Sequence, residues 1–321
     1  MKTALSIAEL RERHGLDTVV LACGVFDGVH RGHRRILDAV LDLARRTGAA
    51  PVVVTFDPHP RSVVLPGQAP KLLTVKEQKV RLFAELGMAA TVFLPFSRAM
   101  ASLAPEAFVQ QHLLGSGVRV RGVCVGAQWR FGAGGRGDTV LLQRLGRENG
   151  FAVRSVPEFC LYGKPVSSTR IRNALTAGRL RFARQLLGRP YTVFGRVSHG
   201  KGVGEKEFRC PTANVLGRNI ILPRFGVYAA RGWLSGHPRV RRDGIVYVGT
   251  APTLRDGAEA GPAQPILELH LFDFHDDIYG RTVEIEFLDF IRPDQVFASH
   301  AALRRQIGAD LVTAREILSR G

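Results

Sequence analysis

Cysteine is scarce in this 321-residue sequence. The four, Cys23, Cys124, Cys160 and Cys210, are far apart and form no CxxC pair. A disulfide framework and a zinc site are therefore excluded as expectations. Long apolar runs are missing: none approaches the ~18–20 residues that a membrane helix needs, so no membrane partner is expected. The opening residues, MKTALSIAELRERHG, place no long apolar core before their charges, and no secretory leader is expected. Internal repeats and low-complexity tracts are also missing. Lysine is rare, supplying 7 of the 45 basic residues against 38 arginines. Acidic residues number only 28, which leaves a formal net charge of +17. What is present, 45% hydrophobic and 23% charged residues, suits a reduced, cytoplasmic globular protein of about two domains.

The charge raises the question of a nucleic-acid partner. An arginine bias in a chain also rich in Ala, Gly, Val and Leu is compositional in character and requires no polyanion. The distribution says more. Residues 1–186 hold 27 basic and 13 acidic residues, a net of +14, whereas residues 187–321 hold 18 and 15, a net of +3. Two halves of different character are expected to do different things.

The first half alternates apolar runs with amphipathic stretches. TVVLACGVF (18–26), PVVVTF (51–56), TVFL (91–94) and RVRGVCVG (119–126) read as buried strands. Residues 32–46, with Ile36, Val40 and Leu43 at helical spacing, read as a helix, as do 75–86 and 105–114, the last opened by Pro105. Strand–helix alternation predicts a parallel sheet covered by helices. After LLGRPY (186–191) the period changes to two. Leu267, Leu269 and Leu271 share one face of PILELHLFDF, and Glu268, His270 and Phe272 the other. Val283, Ile285 and Phe287 likewise alternate with Glu284 and Glu286. These are half-buried antiparallel strands, which Gly and Pro punctuate as in a small barrel. One or two helices close the chain, with Ser299 as an N-cap.

The most informative string is LACGVFDGVHRGHRRIL (21–37). A strand enters a glycine-rich turn and a helix starts near Gly32. His30 and His33 are three residues apart and project from one side of that corner. Helix-start N–H groups attract phosphate, and Gly24, Gly28 and Gly32 permit a tight turn and close approach. Two imidazoles there suit hydrogen bonding to a phosphoryl group as its charge develops. Further on, VSSTRIR (166–172) sets Ser167, Ser168 and Thr169 beside Arg170 and Arg172 at a predicted helix start, a combination suited to a triphosphate.

The string resembles the HxGH signature of nucleotidyltransferases. Together with TFDPHP (55–60), WRFGAGGRGD (129–138) and VSSTRIRNAL (166–175) it resembles the FAD synthetase module of the bacterial bifunctional riboflavin kinase/FMN adenylyltransferase family. The resemblance implies a Rossmann-like domain over 1–186 that transfers AMP from ATP to FMN, with Mg²⁺ assisting and pyrophosphate leaving. It implies that His30 and His33 contact the ATP phosphates. The turn residues Gly24, Phe26, Asp27, Gly28 and Gly32 would shape the ATP site, and Ser167 to Arg172 would grip the β and γ phosphates. Phe56, Gln128, Trp129, Arg130 and Phe131 would lie near the flavin. Gln128–Trp129 departs from the family's usual Asp or Asn followed by Phe.

In the second half, GRVSHGKGVGEKEFRCPTANV (195–215) resembles the riboflavin kinase module of the same family. The resemblance implies a small antiparallel barrel with a C-terminal helix over 187–321, which phosphorylates riboflavin to FMN. It assigns Thr212 and Asn214 to Mg²⁺–ATP and Glu268 to the general base; hydroxyl and amide oxygens suit Mg²⁺. Arg209 and Cys210 stand where the family has Gly and Phe, Val203 where its flap carries Arg, and Ala251 where it carries another Arg. Two alternatives stay open: an adenylyltransferase whose barrel senses flavin or is structural, and an RNA-binding or regulatory protein on a retired enzyme scaffold. No nucleic-acid partner is expected from the leading reading, and a homo-oligomer stays open.

Overall fold

The computed structural model describes residues 1–114, 117–198, 213–216, 219–234, 240–250, 265–274 and 276–320. Contacts divide the chain into two compact units, Met1–Ser168 and Thr169–Gly321.

The first unit is built on six parallel strands, β1 (Lys2–Ala4), β2 (Thr18–Cys23), β3 (Ala50–Asp57), β4 (Ala90–Pro95), β5 (Arg119–Gly126) and β6 (Ala152–Val156). Their order is β1-β4-β3-β2-β5-β6. The order reverses at β2, which runs between β3 and β5. Such a switch point opens a crevice at the carboxyl ends of the strands. Alternate residues of β2 feed two cores: Val19, Leu21 and Cys23 one, Val20 and Ala22 the other. Both faces are thus covered, which is why these strands read as unbroken apolar runs. The parallel sheet expected from the sequence is present. The strand read as 18–26 ends at Cys23, because Phe26 takes a positive φ of 50° that leaves the β region.

Helix α1 (Ala8–Glu12) precedes β2, and α2 (Arg31–Thr47) follows it. Its inner stripe is Leu37, Val40, Leu43 and Ala44, with Ile36 only half-buried at the margin. Gly48, left-handed at φ 63°, ends it with its N–H on the Ala44 carbonyl. Short α3 (Pro60–Val64), α4 (Lys76–Glu85) and α5 (Arg98–Ala101) follow. Helix α6 (Pro105–Phe108) has Pro105 in its first turn as expected, but residues Val109–Leu114 continue as a π-helix. Helix α7 (Thr139–Asn149) precedes β6. A short hairpin, β7 (Cys160–Leu161) and β8 (Lys164–Pro165), leads into α8 (Ser168–Thr176) and α9 (Leu180–Leu187). Composition changes near residue 186, whereas contacts change at Ser168/Thr169, because α9 packs on the strands of the second unit.

That unit closes six antiparallel strands into a barrel: β9 (Tyr191–Ser198), β10 (Ala213–Leu216), β11 (Gly226–Leu234), β12 (Arg242–Gly249), β13 (Ile266–Leu271) and β14 (Thr282–Pro293). Helix α10 (His300–Ser319) is a single helix, and Ser299 caps it by accepting from the Ala302 N–H at 3.2 Å. Leu267, Leu269 and Leu271 point inward as their period required. The outer face is less open than alternation suggests. Phe272 is buried with Ala314 and Leu318 of α10. Glu284 and Glu286 are buried too, Glu286 pairing with Arg241 at 3.6 Å. Helix α10 is tied to β14 by Arg292 and Asp310, whose nitrogens and carboxylate meet at 2.9–3.0 Å with Asp310 3% exposed. Asp310→Ala leaves a largely buried guanidinium unpaired and is expected to cost about 3 kcal/mol, read as a lower denaturation midpoint.

Candidate active sites

The turn after β2 is held by buried polar groups. The Asp27 carboxylate accepts from the Leu73 and Thr74 backbone N–H groups and from the Thr74 hydroxyl, at 3.0–3.2 Å. Thr74 Oγ1 in turn accepts from the Gly28 N–H at 2.9 Å. The Val25 carbonyl accepts from Thr55 Oγ1 at 3.0 Å and from Lys79 Nζ at 2.9 Å. Lys79 is buried, and desolvation holds its ammonium below the usual lysine range despite attraction from Asp27 and Asp57. This clamp keeps Phe26 and Val29, two buried non-glycine residues, at φ 50° and 41°. Backbone held in that region concentrates at functional sites. Of this clamp the sequence marks Asp27 and Gly28, and Thr55 as the first residue of TFDPHP, but neither Thr74 nor Lys79 as a site residue. The only trace of Lys79 was its place in an amphipathic helix.

The turn delivers two imidazoles to the start of α2. His30 is its N-cap: Nδ1 accepts from the His33 N–H at 3.3 Å. A neutral ring accepting at Nδ1 carries its proton on Nε2, which makes that atom a donor. His33 stacks on His30 with centroids 3.6 Å apart and planes 15° apart, and Phe26 meets His33 edge-on at 5.2 Å. Gly24 admits the Phe26 ring, which would lie 3.1 Å from a Cβ there. A Cβ at Gly32 would come within 3.2 Å of the His30 ring and 3.4 Å of the Val166 carbonyl. Gly32→Ala is therefore expected to displace His30 and, on the FAD synthetase reading that the resemblance implies, to lower FAD formation about tenfold without slowing FMN formation, measured in separate assays.

Helix α8 starts where VSSTRIR predicted. Ser168 Oγ donates to the Asp27 carbonyl at 2.8 Å, which ties the helix start to the histidine turn. Ser167 precedes the helix and Thr169 is exposed in its first turn. The Arg170 guanidinium lies over the Phe182 ring at 5.3 Å, and Arg172 is half-buried one turn into the helix.

The aromatic residues singled out from sequence come together at the ends of β3 and β5. Trp129 stacks on Phe131 at 4.6 Å, Phe131 lies 6.0 Å from Phe108, and Phe108 lies 6.4 Å from Phe56. Phe96 closes on Phe56 edge-on at 5.4 Å. Phe96 and Phe108 complete this aromatic cluster, and nothing in their local sequence marked them. Gln128 and Arg130 are exposed, and Arg130 pairs with Asp138 at 3.4 Å.

In the barrel, register aligns a polar row on the outer face. Asn214 of β10 is opposite Glu268 of β13 on one side and Ser198 of β9 on the other. Directly opposed residues of antiparallel strands leave the sheet on the same face, so Asn214 and Glu268 are neighbours. Glu268 is half-buried, and desolvation pushes its carboxyl above the ordinary range. Thr212, Val203, Arg209, Cys210 and Ala251 lie outside the described residues. Among the described residues no cluster of three or more His, Cys, Asp or Glu could hold a metal.

A parallel α/β unit with a stacked HxGH pair at its switch point, and a closed barrel with a half-buried glutamate in a polar row, fit the nucleotidyltransferase-plus-barrel class that the motifs imply. Family comparison agrees: residues 13–170 match the FAD synthetase model and residues 187–318 the riboflavin kinase model. The chain belongs to the bifunctional riboflavin kinase/FMN adenylyltransferase family. Curated members are 39% identical in Escherichia coli K12, over 92% of each chain, and 35% identical in Pseudomonas fluorescens, over 99% of this chain and 98% of that one. A solved structure described as a macrolide-efflux protein from Streptococcus pneumoniae aligns with TM-score 0.78 at 28% identity, over 93% of this chain and 94% of that one. Efflux is said of that protein; here no helix among the described residues is long and apolar enough to cross a membrane. The chain carries both a FAD synthetase and a riboflavin kinase domain, and it is a transferase whose substrates are ATP, riboflavin and FMN.

Proposed function

We propose that the two transfers run at two separate sites, with the functional boundary at residues 186/187 and α8 serving the first site. In the first reaction an FMN phosphate oxygen attacks the α-phosphorus of ATP. The bond from that phosphorus to the bridging oxygen breaks and pyrophosphate leaves. His30 and His33 donate to the phosphate oxygens as charge develops, His30 through Nε2–H. Gly24, Gly28 and Gly32 let the backbone approach, while Phe26 and Asp27 hold the turn in shape. Ser167, Ser168, Thr169, Arg170 and Arg172 hold the departing β and γ phosphates. Phe56 and Trp129 supply a flat apolar face for the isoalloxazine, with buried Phe131 stacked against Trp129 as its support and Gln128 and Arg130 at the rim. The observation that carries this reading is the stacked histidine pair on a helix start at the sheet's switch point.

In the second reaction Glu268 accepts the proton of the riboflavin 5′-hydroxyl. The oxygen bonds to the γ-phosphorus of ATP, and ADP leaves. The oxygen donors Asn214 and Thr212 fit Mg²⁺, and the half-buried Asn214 beside Glu268 sets such a donor next to the proposed base. Bound there, the ion would neutralise phosphate charge. The positive excess of residues 1–186 serves these small phosphorylated ligands; no nucleic acid is needed, and the cytoplasm is where we place the protein. Product assays test the reading. FMN with ATP should release pyrophosphate and no ADP, and riboflavin with ATP should release ADP first. ADP release with FMN as the sole flavin would contradict it.

A further inference from the structure

The outer row of the barrel has one more member. Tyr247 of β12 is directly opposite Glu268, as Asn214 is on the other side. The Tyr247 and Glu268 side chains therefore leave the sheet on the same face, with Cβ atoms about 5 Å apart. The Tyr247 ring does not stand away from the sheet. It runs along its own strand across Gly249, where a Cβ would fall on the phenol end of the ring. Only glycine at 249 leaves room for that course. At the far end the Tyr247 hydroxyl donates to Asp294 Oδ1 at 3.0 Å, just beyond β14. The ring is half-buried and fixed at both ends.

We propose that Tyr247 is a positioning residue of the kinase site: its ring, laid over Gly249 and tethered to Asp294, is a fixed wall beside Glu268. The wall orients the carboxylate and the sugar-alcohol hydroxyl it deprotonates, and keeps bulk water from both. This rests on the reading of Glu268 as the general base. A glutamate has three side-chain torsions, and an adjacent rigid surface removes orientations that do not lead to reaction.

The test is steady-state kinetics of Tyr247→Ala, Tyr247→Phe, Gly249→Ala and Glu268→Gln in the full chain, with FAD formation from FMN measured on the same preparations. Tyr247→Ala should lower kcat for FMN formation about tenfold or more and raise KM for riboflavin, with KM for ATP unchanged. Tyr247→Phe keeps the wall and loses only the tether, and should recover kcat to within about threefold of wild type. Gly249→Ala, which pushes the ring aside with Tyr247 still present, should behave like Tyr247→Ala. FAD formation should hold in all four. Wild-type kinetics in Tyr247→Ala while Glu268→Gln is inactive would overturn the wall alone. Equal losses in Tyr247→Ala and Tyr247→Phe would do the same. An active Glu268→Gln would remove the base assignment and the wall with it.

Discussion

Replacing Glu268 by glutamine is expected to lower FMN formation from riboflavin by about 10²–10⁴-fold, the range for loss of a general base. FAD formation from supplied FMN should proceed at the wild-type rate. The substitution keeps the side chain's size and removes only its ability to take a proton. The same group sets a pH signature. A base works deprotonated, and burial raises the Glu268 carboxyl above the ordinary range of a glutamate. Lowering the pH therefore protonates it sooner than it would an exposed carboxylate. The acid limb of kcat for FMN formation should lie above the usual carboxylate range, and the residual rate of Glu268→Gln should lack that limb. A pH profile of initial rates, with FMN separated chromatographically, reads both effects.

The second large effect belongs to the other domain. His33→Ala is expected to lower FAD formation from FMN and ATP by about 10²–10³-fold, the cost of removing one preorganised donor from a developing charge. FMN formation should be untouched. His33 is the better choice of the pair, because His30 also caps α2 through Nδ1, and loss of a cap adds about 1 kcal/mol of destabilisation. With His33 truncated, the cap acceptor on His30 and the Asp27–Thr74 clamp remain. Equal losses of both activities from either substitution would argue against two sites.

How much of this was legible beforehand follows from how far each feature is local. Strands β2 to β5 announce themselves because both faces are covered, and that coverage demands apolar residues without interruption. The three-residue strand β1 and the polar β6, AVRSV, lie at the sheet edges, where fewer neighbours impose a pattern. Ser299 and Pro105 act within one turn of their own helices and are visible from sequence. Glu284 and Glu286 are not, since what buries them comes from elsewhere, Arg241 in the case of Glu286. The histidine pair was evident from its spacing. The reason it is held in place was not, because Thr55, Thr74 and Lys79 reach the turn from 30 to 54 residues away. Tyr247 carries no sequence signal: its relation to Glu268 is a matter of register between β12 and β13.

The central claim is that one chain performs two successive transfers at two sites. Supplying the purified protein with ATP and Mg²⁺ and, in parallel, riboflavin or FMN as the only flavin tests it directly. Riboflavin should give FMN and then FAD, and FMN should give FAD alone. FAD from FMN with no FMN from riboflavin would contradict the account.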